Sequence, residues 1–398
     1  MHNGGGFLIR ISPVSMDFNP YVSELNAFRG TFQFASVDEP FELSNGQNLD
    51  DGILAYETYG ELNENRDNAI LVFHALSGSQ HAAGYRESVS RSVDPLWTDE
   101  CKKGWWDGFI GKNKVIDTSR HFLICANYLG GCYGSTGPTS NKANSEERYM
   151  SSFPWVTMED LVRSQIKLID SLQIKELHAV VGASLGGLLA LTTMLLFPQR
   201  IRRLVSIASG LKIQPLQVIH NFEQVKAIEN DPLFLNGNYK ADKPPLAGLE
   251  LARMIGHKTY VSLETMTDRA KKNMVQEDNP SGYSATHQIE SYFNHQAKKF
   301  SKRFDANSYL RILNAWQRHL VDNKSKNIGL LNEDFKALII SIDSDVCFYP
   351  DEQRELHDYL KSKGLNSHIH EVHSEKGHDS FLLEPNLYHE TISNFLRE

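Results

Sequence analysis

Four cysteines in 398 residues, at positions 101, 125, 132 and 347, are too few and too scattered for a disulfide scaffold. None stands at CxxC spacing, which removes a thiolate zinc site as well. Long apolar runs are missing too. None approaches the roughly 18 residues of a membrane span, and the opening MHNGGGFLIRISPVSMDFNP has no apolar signal core. Neither a membrane helix nor a secretory leader is expected. Positive charge is in short supply, with 41 Lys and Arg against 49 Asp and Glu and a net charge of −8. Without a basic excess to meet phosphates, nucleic acid and anionic membranes are not expected partners. What is present is 40% hydrophobic and 23% charged residues, enough to bury a sizeable core. These traits describe a soluble cytoplasmic enzyme.

Residues 1–40 contain three consecutive glycines and no clear periodicity, and they read as a tail followed by a surface arm. Beyond them, short runs rich in Val, Ile and Leu alternate with helix-period segments. Residues 69–76, 121–129, 176–182, 201–209, 336–343 and 368–372 read as strands, the first five as buried parallel ones. Between two of them, residues 157–172 place Met158, Leu161, Val162, Ile166, Ile169 and Leu172 at helical spacing, with Thr157 and Asp160 set for an N-terminal cap. Residues 188–197 and 385–396 read as further helices. Strand–helix alternation predicts an α/β fold with a mostly parallel central sheet. Residues 211–332 break the rhythm. They are rich in Lys, Asn, Gln and Glu, with helical patches near 247–255 and 305–319, and read as a helical insertion over one end of the sheet. The core is then 41–210 together with 333–398.

Gly182-Ala183-Ser184-Leu185-Gly186-Gly187 falls where a strand ends and an apolar helix begins. A G-x-S-x-G turn at that junction lifts a serine above the sheet edge, over backbone N–H groups that suit a developing oxyanion. The plainer reading is a glycine-rich turn that packs helix on strand. A nucleophilic serine needs a base and an orienting acid, in chain order Ser, acid, His. The strand ending in Asp343-Ser344-Asp345 supplies a carboxylate, and spacing leaves Asp343 and Asp345 both open. His378, in a glycine-flanked loop after the last strand, is the candidate base among 16 histidines. A second oxyanion donor is expected from the loop after the strand at 69–76, pairing the N–H of Leu76 with that of Leu185. His74 and His81 invite a metal reading, but no carboxylate stands near them at ligand spacing, so no metal is expected.

Many segments together carry a resemblance: YETYG (56–60), HALSGSQHAAG (74–84), GWWDGFIG (104–111), IDTSRHFLICANYLGGCYGSTGP (116–138), FPWVTMEDLVRSQ (153–165), GASLGG (182–187), LARMIGH (251–257), RFDANSYL (303–310), the SDV-F-P pattern at 344–350 and GHDSFLL (377–383). In this order, over about residues 45–395, the chain resembles the homoserine O-acyltransferases of the α/β-hydrolase fold. The resemblance implies Ser184 as nucleophile, Asp345 as orienting acid and His378 as base, which settles the choice against Asp343. It implies that Arg253 holds the carboxylate of L-homoserine, and that Tyr260 and Asp379 line the same pocket, Asp379 facing the substrate ammonium. It also makes 211–332 a lid and homodimer contact, and implies a metal-free and cofactor-free ping-pong reaction in methionine biosynthesis, with an acyl-CoA as co-substrate. Departures from the family pattern are Ala183 before the serine, Val346-Cys347 after the aspartate, and Ala315-Trp316-Gln317-Arg318-His319 after RFDANSYL. Succinyl-using members carry an arginine shortly after the aspartate. Here Asp345–Pro350 has no basic residue, leaving Arg86 as the nearby candidate, so acetyl-CoA is the expected donor. Homoserine O-succinyltransfer, transfer to serine, and ester hydrolysis on the same fold are the alternatives.

Overall fold

Runs such as AILVF and AVVGA are buried on both faces, and they form the centre of one eight-stranded sheet. The computed structural model describes residues 25–86, 96–270, 286–319, 321 and 325–398. The strands are β1 (Phe28–Ala35), β2 (Gly52–Tyr59), β3 (Ala69–Phe73), β4 (Phe122–Ala126), β5 (Ala179–Ala183), β6 (Arg203–Ile207), β7 (Lys336–Ile342) and β8 (Asn366–Val372). They lie in the order β1-β2-β4-β3-β5-β6-β7-β8. β2 pairs antiparallel with both β1 and β4, and every other pairing is parallel. Alternate residues of β3 feed opposite cores. Leu71 and Phe73 join one apolar cluster, Ile70 and Val72 the other.

The reading of residues 1–40 as tail and arm is corrected by β1, whose register with β2 runs from Phe28 opposite Thr58 to Ala35 opposite Gly52. An edge strand needs little apolar patterning when its partner supplies the hydrogen bonds, and only Phe34 and Ala35 of β1 are fully buried. The glycine-rich stretch at the start lies outside the described residues.

Helix α1 (Met158–Ser171) begins with a complete capping box: Thr157 accepts from the Asp160 N–H at 3.3 Å, and the Asp160 carboxylate accepts from the Thr157 N–H at 2.9 Å. Helix α2 (Leu185–Leu196) is apolar on every side because it is buried on every side. Between β6 and β7 stand α3 (Pro215–Glu229), α4 (Leu246–Tyr260), α5 (Leu263–Ala270), α6 (Gln288–Ser301) and α7 (Ala306–Gln317), with no strand among the described residues. α4 packs on both α3 and α6. Helix α8 (Pro350–Ser362) joins β7 to β8, the short α9 (Ser380–Leu383) follows, and α10 (Pro385–Arg397) closes the chain against the second core. Among the described residues no helix is long and apolar enough to cross a membrane.

Candidate active site

Ser184 follows β5 directly and caps α2. Its backbone is held at φ 57° and ψ −126°, a conformation that a non-glycine residue adopts only when its surroundings enforce it. Two glycines make that possible. A Cβ on Gly182 would lie 2.0 Å from the Gly186 carbonyl oxygen, and one on Gly186 would lie 2.3 Å from the Phe73 carbonyl oxygen. The turn is therefore both a close packing of helix on strand and a strained mount for serine. The Ser184 N–H donates to the Ile207 carbonyl at 2.9 Å, while its hydroxyl makes no capping bond and the residue keeps 7% exposure.

The candidate acid and base come from the ends of β7 and β8. Asp345 is fully buried; its Oδ1 accepts from the N–H groups of Cys347 at 2.7 Å and Phe348 at 3.0 Å. Its Oδ2 lies 2.7 Å from His378 Nδ1. A carboxylate there accepts the Nδ1 proton, which leaves Nε2 as the basic lone pair. Nε2 is buried and has no hydrogen-bond partner. The imidazole is packed by Phe348 at 5.7 Å, Tyr260 at 5.9 Å and the edge of Phe381 at 5.1 Å. Ser344 links the two loops, its hydroxyl donating to the Ser374 carbonyl and accepting from the Gly377 N–H at 3.1 Å. Asp343, the other carboxylate left open by spacing, faces outward and pairs with exposed His373 at 2.9 Å.

The two expected backbone donors lie on adjacent elements. Leu185 opens α2, where the first N–H groups have no helical partner. Leu76 sits in the loop after β3, and the contact of Gly186 with the Phe73 and His74 carbonyls brings that loop against the start of α2. The His74 ring stacks on Tyr128 at 3.7 Å, and its Nδ1 donates to the Ala75 carbonyl at 2.7 Å. Burial pushes its pKa down to about 4, so the ring is neutral at physiological pH.

Arg253, on α4, lays its guanidinium 5.1 Å from the Tyr260 ring centre and 4.9 Å from that of Phe300. Its Nε is buried without a hydrogen-bond partner. Asp379 adjoins His378, and burial raises its carboxyl to about 6, against the opposing pull of Arg253 and His378. Arg253 and Asp379 sense each other's charge, yet no carboxylate among the described residues forms an ion pair with Arg253. Both groups thus remain available to a ligand. Burial also pushes the Tyr260 phenol above its ordinary range. Arg86, the candidate cation of the early loops, lies 4.8 Å over the Trp97 ring.

Two residues lie in segments that carry the resemblance, YETYG and RFDANSYL, but receive no role from the sequence. Glu57, buried in β2, receives Arg29 at 2.5 Å, the Tyr59 hydroxyl at 2.7 Å and His81 Nδ1 at 2.8 Å. Burial pushes the Glu57 carboxyl up, but His81 and Arg29 hold it below its ordinary value. The carboxylate that His81 lacked at nearby spacing is this one, and His81 Nε2 faces the Lys102 carbonyl at 3.0 Å. The pair anchors the far end of the loop that carries Leu76. The second is Arg303, whose Nη1 donates to the Ser77 carbonyl at 3.0 Å. The resemblance marks both segments but not these contacts, since β2 does not read as a strand and Arg303 meets a loop far from it in sequence.

Comparison with known proteins places the chain in a family. Residues 68–385 match the family model described as alpha/beta hydrolase fold. A homoserine O-acetyltransferase of Methanobrevibacter ruminantium is 41% identical over 366 residues, covering 91% of this chain and 72% of its own. A homoserine O-succinyltransferase of a Marinomonas species is 38% identical, covering 92% and 94%. Among solved structures, homoserine O-acetyltransferase from Bacillus anthracis superposes with a TM-score of 0.82 at 25% identity, over 94% of this chain and 98% of that one. The esterase E22 reaches the same TM-score at 26% identity, over 93% and 100%. An identity near 40% sustained over nine-tenths of the chain exceeds what a shared fold alone requires, and the chain belongs to the homoserine O-acyltransferase family of the α/β-hydrolase fold.

Proposed function

We propose that the enzyme moves an acetyl group from acetyl-CoA to the γ-hydroxyl of L-homoserine by double displacement through Ser184. Ser184 Oγ passes its proton to His378 Nε2 and attacks the thioester carbonyl. The tetrahedral intermediate places its oxyanion between the Leu76 and Leu185 N–H groups, then expels CoA, whose sulfur takes the proton from His378. The homoserine hydroxyl next gives its proton to His378 and attacks the acyl-serine, and Ser184 leaves with that proton. Asp345 keeps the ring in the required tautomer and stabilises the imidazolium. No step calls for a metal or a bound organic cofactor. The observation that carries this reading is the buried Asp345–His378 pair at 2.7 Å, with an unengaged Nε2, at the same sheet edge as the strained Ser184.

The acceptor is read from Arg253, Tyr260 and Asp379, a cation and an anion suited to an amino-acid zwitterion. The acetyl donor is read from Asp345–Pro350, which has no basic side chain to meet a second carboxylate, and from Arg86 stacking on Trp97. Helices α3–α7 would form a lid that keeps water from the acyl-enzyme. The exposed Leu216, Ile219 and Phe222 of α3 support a homodimer through these helices, which a sedimenting monomer at micromolar concentration would overturn. The O-acylhomoserine would serve cytoplasmic methionine biosynthesis.

The test is a matrix of acetyl-CoA and succinyl-CoA against homoserine, serine and buffer. Fastest turnover is expected for acetyl-CoA with homoserine, with parallel double-reciprocal lines. CoA release in buffer as fast as with homoserine would favour an esterase, the reading that the likeness to esterase E22 supports. A kcat/KM ratio below one for acetyl- over succinyl-CoA would reverse the donor. Arg253→Ala should leave acyl-enzyme formation intact and raise KM for homoserine by about 10- to 100-fold, the loss of a charge-assisted carboxylate contact. Loss of the acylation burst would instead tie Arg253 to the CoA side.

A further inference from the structure

Arg303 lies between α6 and α7, outside every role assigned above. Its Nη1 donates to the Ser77 carbonyl and to the Tyr133 hydroxyl, each at 3.0 Å, and Tyr133 donates back to the Arg303 carbonyl. Its guanidinium lies 5.2 Å from the Phe300 ring centre. No carboxylate among the described residues forms an ion pair with it. A cation held by a carbonyl, a phenol and an aromatic ring is costly for stability alone, since an apolar side chain would fill the same space without desolvating a charge.

What the charge touches gives it a use. The Ser77 carbonyl shares its peptide unit with the Gly78 N–H, which donates to the Ala75 carbonyl at 3.0 Å. The Ala75 carbonyl shares its peptide unit with the Leu76 N–H. In a trans peptide the C=O and N–H point in opposite directions, so a donor drawing on the oxygen polarises the N–H on the far side. A fixed positive charge at Ser77 is thereby relayed through two peptide units to Leu76. The His74 Nδ1–H donates to the same Ala75 oxygen at 2.7 Å and holds that plane from a second side, as a neutral ring.

We propose that Arg303 is a positioning residue for acyl transfer, its guanidinium orienting and polarising the Leu76 N–H through the Ser77–Gly78 and Ala75–Leu76 peptides. This rests on the reading of Leu76 as an oxyanion donor in Ser184-dependent transfer. Each half-reaction passes through an oxyanion, so Arg303 serves both, whereas Arg253 serves only the acceptor. Arg303 also ties the loop after β3 to the helices between β6 and β7, so the N–H is set only when those helices are docked.

The experiment compares Arg303→Met with the parent enzyme in three measurements: the acylation burst with acetyl-CoA, steady-state kcat and KM for both substrates, and affinity for a trifluoromethyl ketone analogue of acetyl-pantetheine. The ketone takes the Ser184 oxygen at its carbonyl carbon while the serine proton goes to His378, leaving an oxyanion at the site in question. Burst rate, kcat and ketone affinity should fall by a common factor of about 10 to 100, with both KM values nearly unchanged. Arg303→Lys should recover part of the loss, and Tyr133→Phe should show a smaller loss of the same pattern. A higher KM for acetyl-CoA at unchanged ketone affinity would make Arg303 a ligand for the donor's phosphates and overturn the relay. Rates and ketone affinity equal to the parent's would reduce it to a helix anchor. If Arg303→Met does not fold, the lysine and Tyr133→Phe variants carry the same comparison. Ser184→Ala separates the levels: an active Ser184→Ala enzyme removes the parent reading, while an inactive one beside a normal Arg303→Met removes the relay alone.

Discussion

Ser184→Ala is expected to lose acetyl transfer by about 10⁴-fold or more and to show no burst of CoA release. The oxygen that would carry the acyl group is gone, and the other side chains between Gly182 and Gly186, those of Ala183 and Leu185, are not nucleophiles. Residual turnover would come from direct attack of bound homoserine on bound thioester, helped by the backbone donors and by positioning. That route has no acyl-enzyme, so double-reciprocal lines would intersect. Stability should barely fall, because the serine hydroxyl makes no capping bond, and relief at φ 57° is not offered by alanine. A Ser184→Ala enzyme with a full burst would sink the covalent mechanism outright.

The second large effect separates two carboxylates two residues apart. Asp345→Asn should lower kcat by about 10³- to 10⁴-fold with little change in either KM, since the amide would donate to His378 and favour the tautomer with its proton on Nε2. Asp343→Asn should leave turnover near that of the parent, because its partner is the exposed His373 and not the buried imidazole. Equal losses in the two variants would mean that the acid has been misassigned. The loop should keep its path in Asp345→Asn, because the amide oxygen can still accept from the Cys347 and Phe348 N–H groups while the amide nitrogen faces His378.

The parallel centre of the sheet was legible because burial on both faces leaves an unbroken apolar run, as in β3, β5 and β7. β1 and β2 were not, since β1 mixes Arg, Gly, Thr and Gln with its aromatics, and β2 carries Glu57 on a buried face. Helix α3 escaped for the opposite reason. Its inward face holds Gln217, Asn221 and Gln224 with a single apolar residue, Ile228, while Leu216, Ile219 and Phe222 point out, so the apolar positions do not trace a stripe facing the core. At the site, Ser184 and His378 could be read from strand ends and glycines. Spacing could not separate Asp343 from Asp345, because both follow β7 and only the path of the loop decides which one turns inward. Glu57 and Arg303 act on a loop far from them in sequence, and a contact of that kind has no local pattern.

The position of the helices between β6 and β7 also matters while the protein is being made. As the chain leaves the ribosome, β1 to β6 are available to pair before any residue of α3 to α7 has appeared. Leu204, Val205 and Ile207 of β6 then form the open edge of a growing sheet, because their neighbours Ala337, Leu338 and Ile340 of β7 are translated only after the whole helical segment. An unpaired apolar edge invites pairing with another nascent chain. The helical segment therefore delays closure of the sheet during synthesis, and yield should depend on chaperone supply and temperature more than folded-state stability would suggest.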